Sequence, residues 1–407
     1  MLKKIHVEDL RLGMHIHEFC GSWMEHPFWR TNFVIDDPED IRRVAESGIH
    51  ELWIDVAKGI DVVASAPAVS VEEAEVAVTA ALTAAAHREE PPIQVSMAEE
   101  VARAARVCAK SKQAVLSMFQ EARMGKAISA DAAGEMVDEI SSSVLRNPGA
   151  LISLARLKDA DDYTYMHSVA VCALMVALSR QLGFGEGETR EAGMAGLLHD
   201  LGKALTPPEV LNKPGKLTDA EFAIMRQHPV EGHRMLAEAR AVGEIALDVC
   251  LHHHEKMDGT GYPDRLPADK ITLFSRMGAV CDVYDAITSN RPYKAGWDPA
   301  ESIRKMAEWC KGHFDERIFQ AFVRSVGIYP IGSFVRLESG RLGVVVEQTE
   351  KSLLTPCVKV FFSTRSQTHI APEIVDLARA GAMDKIISRE DPAKWGIKDV
   401  DRYWALA

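Results

Sequence analysis

Seven of the 15 histidines in this 407-residue chain fall between His167 and His254, and Asp200 and Asp282 accompany them in apolar runs. Neutral imidazole and carboxylate are both ligands for divalent cations, so the cluster points to metal chemistry. On a helix over residues 165–182, His167 shares a face with Val171, Leu174 and Leu178 and points into a core. Alone, such a histidine reads as a hydrogen-bonded core residue sooner than as a ligand. The next element, residues 188–203, is apolar at Met194, Leu197, Leu198 and Leu201 and carries His199-Asp200-Leu201-Gly202-Lys203. Buried His and Asp are costly unless compensated; a divalent cation compensates both, and a carboxylate can bridge two ions. Thr218-Asp219-Ala220-Glu221 has the form of a capping box and predicts a helix over 219–228 that ends at His228, where Pro229 stops it. His252-His253-His254 follows, and His252, about 100° from His253 on a helix, stands at best behind the ligands. A helix over 273–288 carries Asp282 and Asp285 one turn apart and leads into Asn290-Arg291-Pro292-Tyr293-Lys294.

The elements that must position these residues form a helix-rich block over 131–330. Ahead of it, residues 1–66 mix β-like pieces with one amphipathic stretch and predict a small α+β domain, and 67–130 predict helical connecting structure, alanine-rich from Pro67 to His87. After Pro330, alternating apolar positions over 331–407 predict a short β meander. The expected fold is therefore multidomain and mainly α. Lys+Arg 47 against Asp+Glu 59 sets the net charge at -12. This argues against a non-specific grip on nucleic acid or an anionic membrane without a local basic patch, which an anionic substrate would also need. Seven scattered cysteines without a CxxC pair argue for small core residues in a reducing compartment. No apolar run reaches the length of a membrane span, and the chain reads as cytoplasmic. His6, His15, His17 and His26 match no metal motif and read as core or interface residues, and His233 as a surface or hydrogen-bonding one.

The set His167, His199-Asp200, His228, His253-His254 and Asp282, together with Asp258-Gly259-Thr260-Gly261-Tyr262-Pro263 and Arg291-Pro292-Tyr293-Lys294, resembles the HD-GYP family, a branch of the HD-domain metal phosphohydrolases. The motifs cover residues 140–330, and their order and spacing are far more specific than the two-letter HD pair. The resemblance implies an all-helical catalytic core and a phosphodiesterase that hydrolyses cyclic di-GMP by in-line attack of a metal-bridging hydroxide. Its first product would be linear pGpG, with GMP as a further product left open. It also implies two or three metal ions, commonly iron or manganese. In its dinuclear form His167, His199 and Asp282 hold one ion, His228, His253 and His254 the other, and Asp200 bridges. Members with three metals have a glutamate four residues before the first histidine; this chain has Tyr163 there, which predicts two.

Lys203, one turn after His199, is expected to balance charge on the phosphorus or leaving oxygen, with a solvated helix end as its alternative. Arg291 and Lys294 are expected on substrate phosphate, supplying the local basic patch. Tyr262 contacts substrate, contacts a partner such as a diguanylate cyclase, or serves the turn alone. Asp285 joins the substrate side, orients a ligand or an attacking water, or forms an internal salt bridge. The N-terminal segment resembles an uncharacterised domain often found ahead of HD-GYP modules, and the connector helices either couple it to the core or pack against a second chain as a homodimer. A competing reading makes the protein a low-turnover cyclic di-GMP receptor or interaction module.

Overall fold

The computed structural model describes residues 2–20, 32–47, 49–62, 68–70, 73, 95–126, 129–157, 163–213, 215–239, 242–290, 296–349 and 352–405. The chain divides into two compact units, residues 1–83 with 306–311, and 84–305 with 312–407. In the first, strands β1 (Leu2–His6), β2 (His15–Cys20), β3 (Phe33–Val34), β4 (Glu51–Asp55) and β5 (Ala68–Ser70) form an antiparallel sheet in the order β3-β2-β4-β1-β5. Helix α1 (Pro38–Glu46) starts with Pro38 behind Asp37, whose side chain accepts from Glu39 N, a proline-first start that leaves no wanted donor missing. Ile5, Ile16, Phe19, Leu52, Ile54 and Val44 share the core of this α+β unit. The alanine-rich stretch expected as helix from Pro67 falls largely outside the described residues. Of its described part, residues 68–70 form the strand β5, because the edge of β1 offers unpaired backbone groups that they satisfy, while Glu73 is helical as expected.

The second unit is helical: α2 (Met97–Arg123), α3 (Ala130–Arg146), α4 (Pro148–Arg156), α5 (Tyr163–Gln181), α6 (Glu186–Leu198), α7 (Pro208–Leu211), α8 (Asp219–Met225), α9 (His228–Ala239), α10 (Glu244–His252), α11 (Leu273–Thr288), α12 (Pro299–Trp309, of which residues 299–305 belong to this unit) and α13 (Glu316–Val326). The capping box of Ser96 and Glu99 starts α2. Helix α5 is apolar on every side, as a fully surrounded helix must be. It is buried from 166 to 179, and α2, α3, α4, α6, α11 and α13 all pack against it. The fully buried Glu100 of α2 accepts from Arg146 Nε at 2.7 Å and Ser143 Oγ at 2.9 Å on α3, which joins α2 to the helical body. Strands β6 (Phe334–Leu337), β7 (Arg341–Glu347), β8 (Cys357–Ser363) and β9 (Thr368–Asp376) form the meander, and β10 (Ile386–Arg389) returns along β6, giving the order β10-β6-β7-β8-β9. The architecture is thus multidomain and mainly α, with small antiparallel sheets near both ends. Among the described residues no helix is long and apolar enough to cross a membrane.

Two differences from expectation set the site geometry. Helix α6 stops at Leu198, and His199-Asp200 form a turn before a 3-10 segment, Leu201–Leu205. His228 opens α9 and does not end α8, although the Thr218 capping box forms as expected. The reason is Pro229: in the first helical turn its missing N–H costs nothing, so it starts a helix where mid-helix it would break one. The 3-10 segment lies directly on α9. A Cβ at Gly202 would sit 1.9 Å from His228 O and 2.5 Å from Gly232 N. A Gly202→Ala variant is therefore expected to lose about 1–3 kcal/mol of stability through forced separation of these backbones, read as a lower urea midpoint with unchanged slope.

Candidate metal centre

Each element contributes its ligand-type side chain from a different direction. His167 comes from the second turn of α5, His199 and Asp200 from the turn after α6, and His228 from the start of α9. His253 and His254 come from the end of α10, and Asp282 from the middle of α11. One donor atom from each of Asp200, His228, His253 and His254 lies within 4.8 Å of the others, and the same holds for His167, His199 and Asp282. All are buried except His254, which is only partly exposed.

The imidazoles are held by their outer nitrogens. His199 Nδ1 donates to Gly196 O at 2.8 Å, His228 Nδ1 to Met225 O at 2.8 Å, and His253 Nδ1 to Val249 O at 2.9 Å. His167 Nδ1 donates to Asp285 Oδ2 at 2.6 Å. These bonds set the tautomer and turn four Nε2 lone pairs inward. His167 and His199 Nε2 face each other at 3.2 Å, and His228 and His253 Nε2 at 3.4 Å. Asp200 stands between the groups: Oδ2 is 3.4 Å from both His167 and His199 Nε2, and Oδ1 is 3.2 Å from His228 and 3.8 Å from His253 Nε2. Asp282 Oδ1 lies 3.0 Å from His167 Nε2, and Oδ2 lies 3.8 Å from His254 Nδ1. Asp200 Oδ1 is buried without a hydrogen bond. A buried carboxylate oxygen facing lone pairs lacks a positive partner, and divalent cations fit such a donor set.

Electrostatics agree. Burial alone would raise the Asp200 carboxyl, but Lys203, His199 and His228 hold it well below the usual range. Burial is likewise outweighed at Asp282 by His167 and His199. Burial pushes His253 down to about 3 with help from His199 and His228, and pushes His254 and His228 down as well, so these imidazoles are neutral. His199 is the exception: Asp200 and Asp282 overcome its burial and push it up to about 10. A proton there occupies the negative field that a cation would occupy, and the two compete.

The remaining expected residues separate. Lys203 is ion-paired to Asp200 with a side chain 19% exposed, so the solvated helix end is not what forms. Asp285, expected among substrate contacts, lies instead on the Nδ1 side of His167, opposite Asp282, and is 2% exposed; Ser289 Oγ donates to its other oxygen at 3.2 Å. The imidazole ring separates it from the centre, so orienting His167 is what this position can do. Tyr262 stacks on His254, ring centroids 4.6 Å apart. Arg291 and Lys294 lie outside the described residues, as does the side chain of Tyr163. His252 turns away to Asp248 at 2.8 Å and Asp264 at 3.1 Å.

Glu255 went unassigned in the sequence. It is 2% exposed and accepts from the N–H groups of Asp264, Arg265 and Leu266 at 2.7–3.0 Å, folding the following loop back on the histidines. A Cβ at Gly261 would lie 2.4 Å from Glu255 Cα, so the loop closes only with glycine there. The available signal was an acidic residue placed directly after two ligand-type histidines.

A helical domain whose inward histidines surround a His-Asp turn is the arrangement of the HD-domain metal phosphohydrolases. Residues 146–318 match the family model described as HD domain, and residues 2–133 match a domain of unknown function, DUF3391. The chain is 56% identical over 405 residues to "Cyclic di-GMP phosphodiesterase PA4108" of Pseudomonas aeruginosa, covering 99% of this chain and 96% of that protein. It is 37% identical over 179 residues to "Cyclic di-GMP phosphodiesterase response regulator RpfG" of Xanthomonas campestris, 42% of this chain and 47% of the relative. It is also 33% identical over 174 residues to "3'3'-cGAMP-specific phosphodiesterase 1" of Vibrio cholerae, 42% of this chain and 40% of the relative. The chain belongs to the HD-GYP family of HD-domain phosphodiesterases.

If Asp285 fixes His167, Asp285→Asn is expected to weaken metal affinity about 10- to 100-fold with the fold retained. Metal titration of the chelator-stripped variant, beside its circular dichroism, checks this.

Proposed function

We propose that this chain hydrolyses cyclic di-GMP to linear pGpG, with two divalent ions, iron or manganese, as cofactors. The observation that carries the reading is Asp200, whose two buried carboxylate oxygens face two separate imidazole groups. The substrate assignment is supported by the relative that matches nearly the whole chain. His167, His199 and Asp282 would hold one ion, His228, His253 and His254 the other, and Asp200 both. When bound, such ions supply positive charge for the phosphodiester oxygens and an activated water at neutral pH.

The chain's own residues supply position and charge. Hydrogen bonds at Nδ1 keep the imidazoles oriented, and Lys203, beside Asp200, can meet charge on a non-bridging or leaving oxygen. Arg291, through its planar fork, and Lys294, as a point charge, would hold substrate phosphate. Tyr163, at the start of α5, lacks the carboxylate that a third ion would use. Tyr262 is only half-buried, which leaves the Gly-Tyr-Pro loop open to substrate or to a diguanylate cyclase.

Protein purified without oxygen and reconstituted with iron or manganese is expected to release pGpG, detected by chromatography, at about two metals per chain. Asp200→Ala should lose both turnover and most metal, and wild-type turnover in that variant would reject the shared-carboxylate arrangement. Tight nucleotide binding without product would make the chain a receptor. Arg291→Ala should raise KM with metal content retained; lost metal would remove its assignment to phosphate.

A further inference from the structure

Arg226 closes α8 two residues before His228, its backbone N–H bonded to Phe222 O at 2.9 Å. Its guanidinium carbon lies 4.4 Å from the ring centroid of Tyr262 and 5.8 Å from that of Phe222. Tyr262 in turn stacks on His254 with the planes 25° apart. A guanidinium, an aromatic ring and an imidazole of the metal centre thus follow one another at its rim. Among the described residues no carboxylate pairs with Arg226. A half-buried guanidinium without a carboxylate partner keeps hydrogen-bond donors available to an acceptor on the substrate.

Cation–π contact with Tyr262 leaves the guanidinium N–H edge free to donate. That edge matches two acceptors side by side, as guanine presents at O6 and N7. Adenine places an N6 amino donor beside N7 and opposes it. Phosphate is already provided for by Lys203, Arg291 and Lys294 in the proposed arrangement. We propose that Arg226 is a specificity-determining residue whose fork reads the O6/N7 edge of one guanine of the substrate, with Tyr262 as the platform that holds it. This rests on cyclic di-GMP being the substrate.

The test compares wild type, Arg226→Ala and Arg226→Lys, each metal-loaded, by KM for cyclic di-GMP and by the inhibition constant of cyclic di-AMP against that reaction. Arg226→Ala is expected to raise KM by about 10- to 100-fold while changing cyclic di-AMP inhibition by less than about threefold. Arg226→Lys should behave similarly, because a point charge lacks the fork. Metal content should equal that of the wild type. Equal weakening toward both nucleotides would put the guanidinium on phosphate, and unchanged constants would put it on nothing. Lost metal would make Arg226 a support for Tyr262 and His254. Each of these overturns the proposal. Wild-type enzyme that leaves cyclic di-GMP intact would instead reject the substrate reading itself.

Discussion

The constraint on which the rest depends is the burial of two ionised carboxylates, Asp200 and Asp282, side by side with five imidazoles inside a largely apolar helical body. Each is almost fully removed from water, and desolvation at that depth costs several kcal/mol per ion unless positive charge is close. The surrounding histidines reduce the cost but do not remove it. Three are driven toward the neutral form, and one, His199, is pushed upward by both carboxylates. A body that tolerates such a cluster does so because cations complete it.

That demand shapes the backbone around it. Helix α5 carries His167 into the interior because its other faces are apolar enough to be enclosed on all sides. The turn after α6 brings His199 and Asp200 out of helical register, so two adjacent side chains serve the same centre from different angles. Gly202 lets that turn touch α9, which fixes how far His228 stands from Asp200. The outer nitrogens of the imidazoles are satisfied by Gly196, Met225 and Val249 carbonyls, all from the helical turn immediately before each histidine. Local backbone thereby orients the ligands, and little freedom is left to lose when ions bind.

The loop after the histidine pair extends the same logic outward. Glu255 gathers three backbone N–H groups and bends the chain so that Tyr262 lies on His254. The ligand-type histidines and the aromatic rim are therefore one folded segment, and Arg226 enters it from α8. A loop tied to a buried carboxylate presents its aromatic ring more rigidly than a free surface loop would, which suits selection among nucleotides.

Much of this was legible in the chain itself. The clustered histidines and aspartates, the helices carrying His167 and Asp282, the Thr218 capping box and the two flanking β-containing segments follow from periodicity and local motifs, because those signals lie within a few residues. The seven ligand-type residues were named from the motifs, and their spatial division into two groups is what the structure displays. Other features escaped. The place of His228 depended on whether Pro229 stops a helix or starts one, and sequence alone allows both. Strand β5 hides in an alanine-rich stretch because its partner, β1, is more than 60 residues away. Asp285 is separated from the centre by an imidazole contributed from 118 positions earlier, and Arg226 gains its meaning from Tyr262, which only folding brings over it. The sequence by itself determined residue types, helix periodicity and therefore the chemistry on offer. Tertiary structure decided which nitrogen of each ring faces inward and which cation stands beside the aromatic rim, since those depend on contacts between segments that local propensity does not encode.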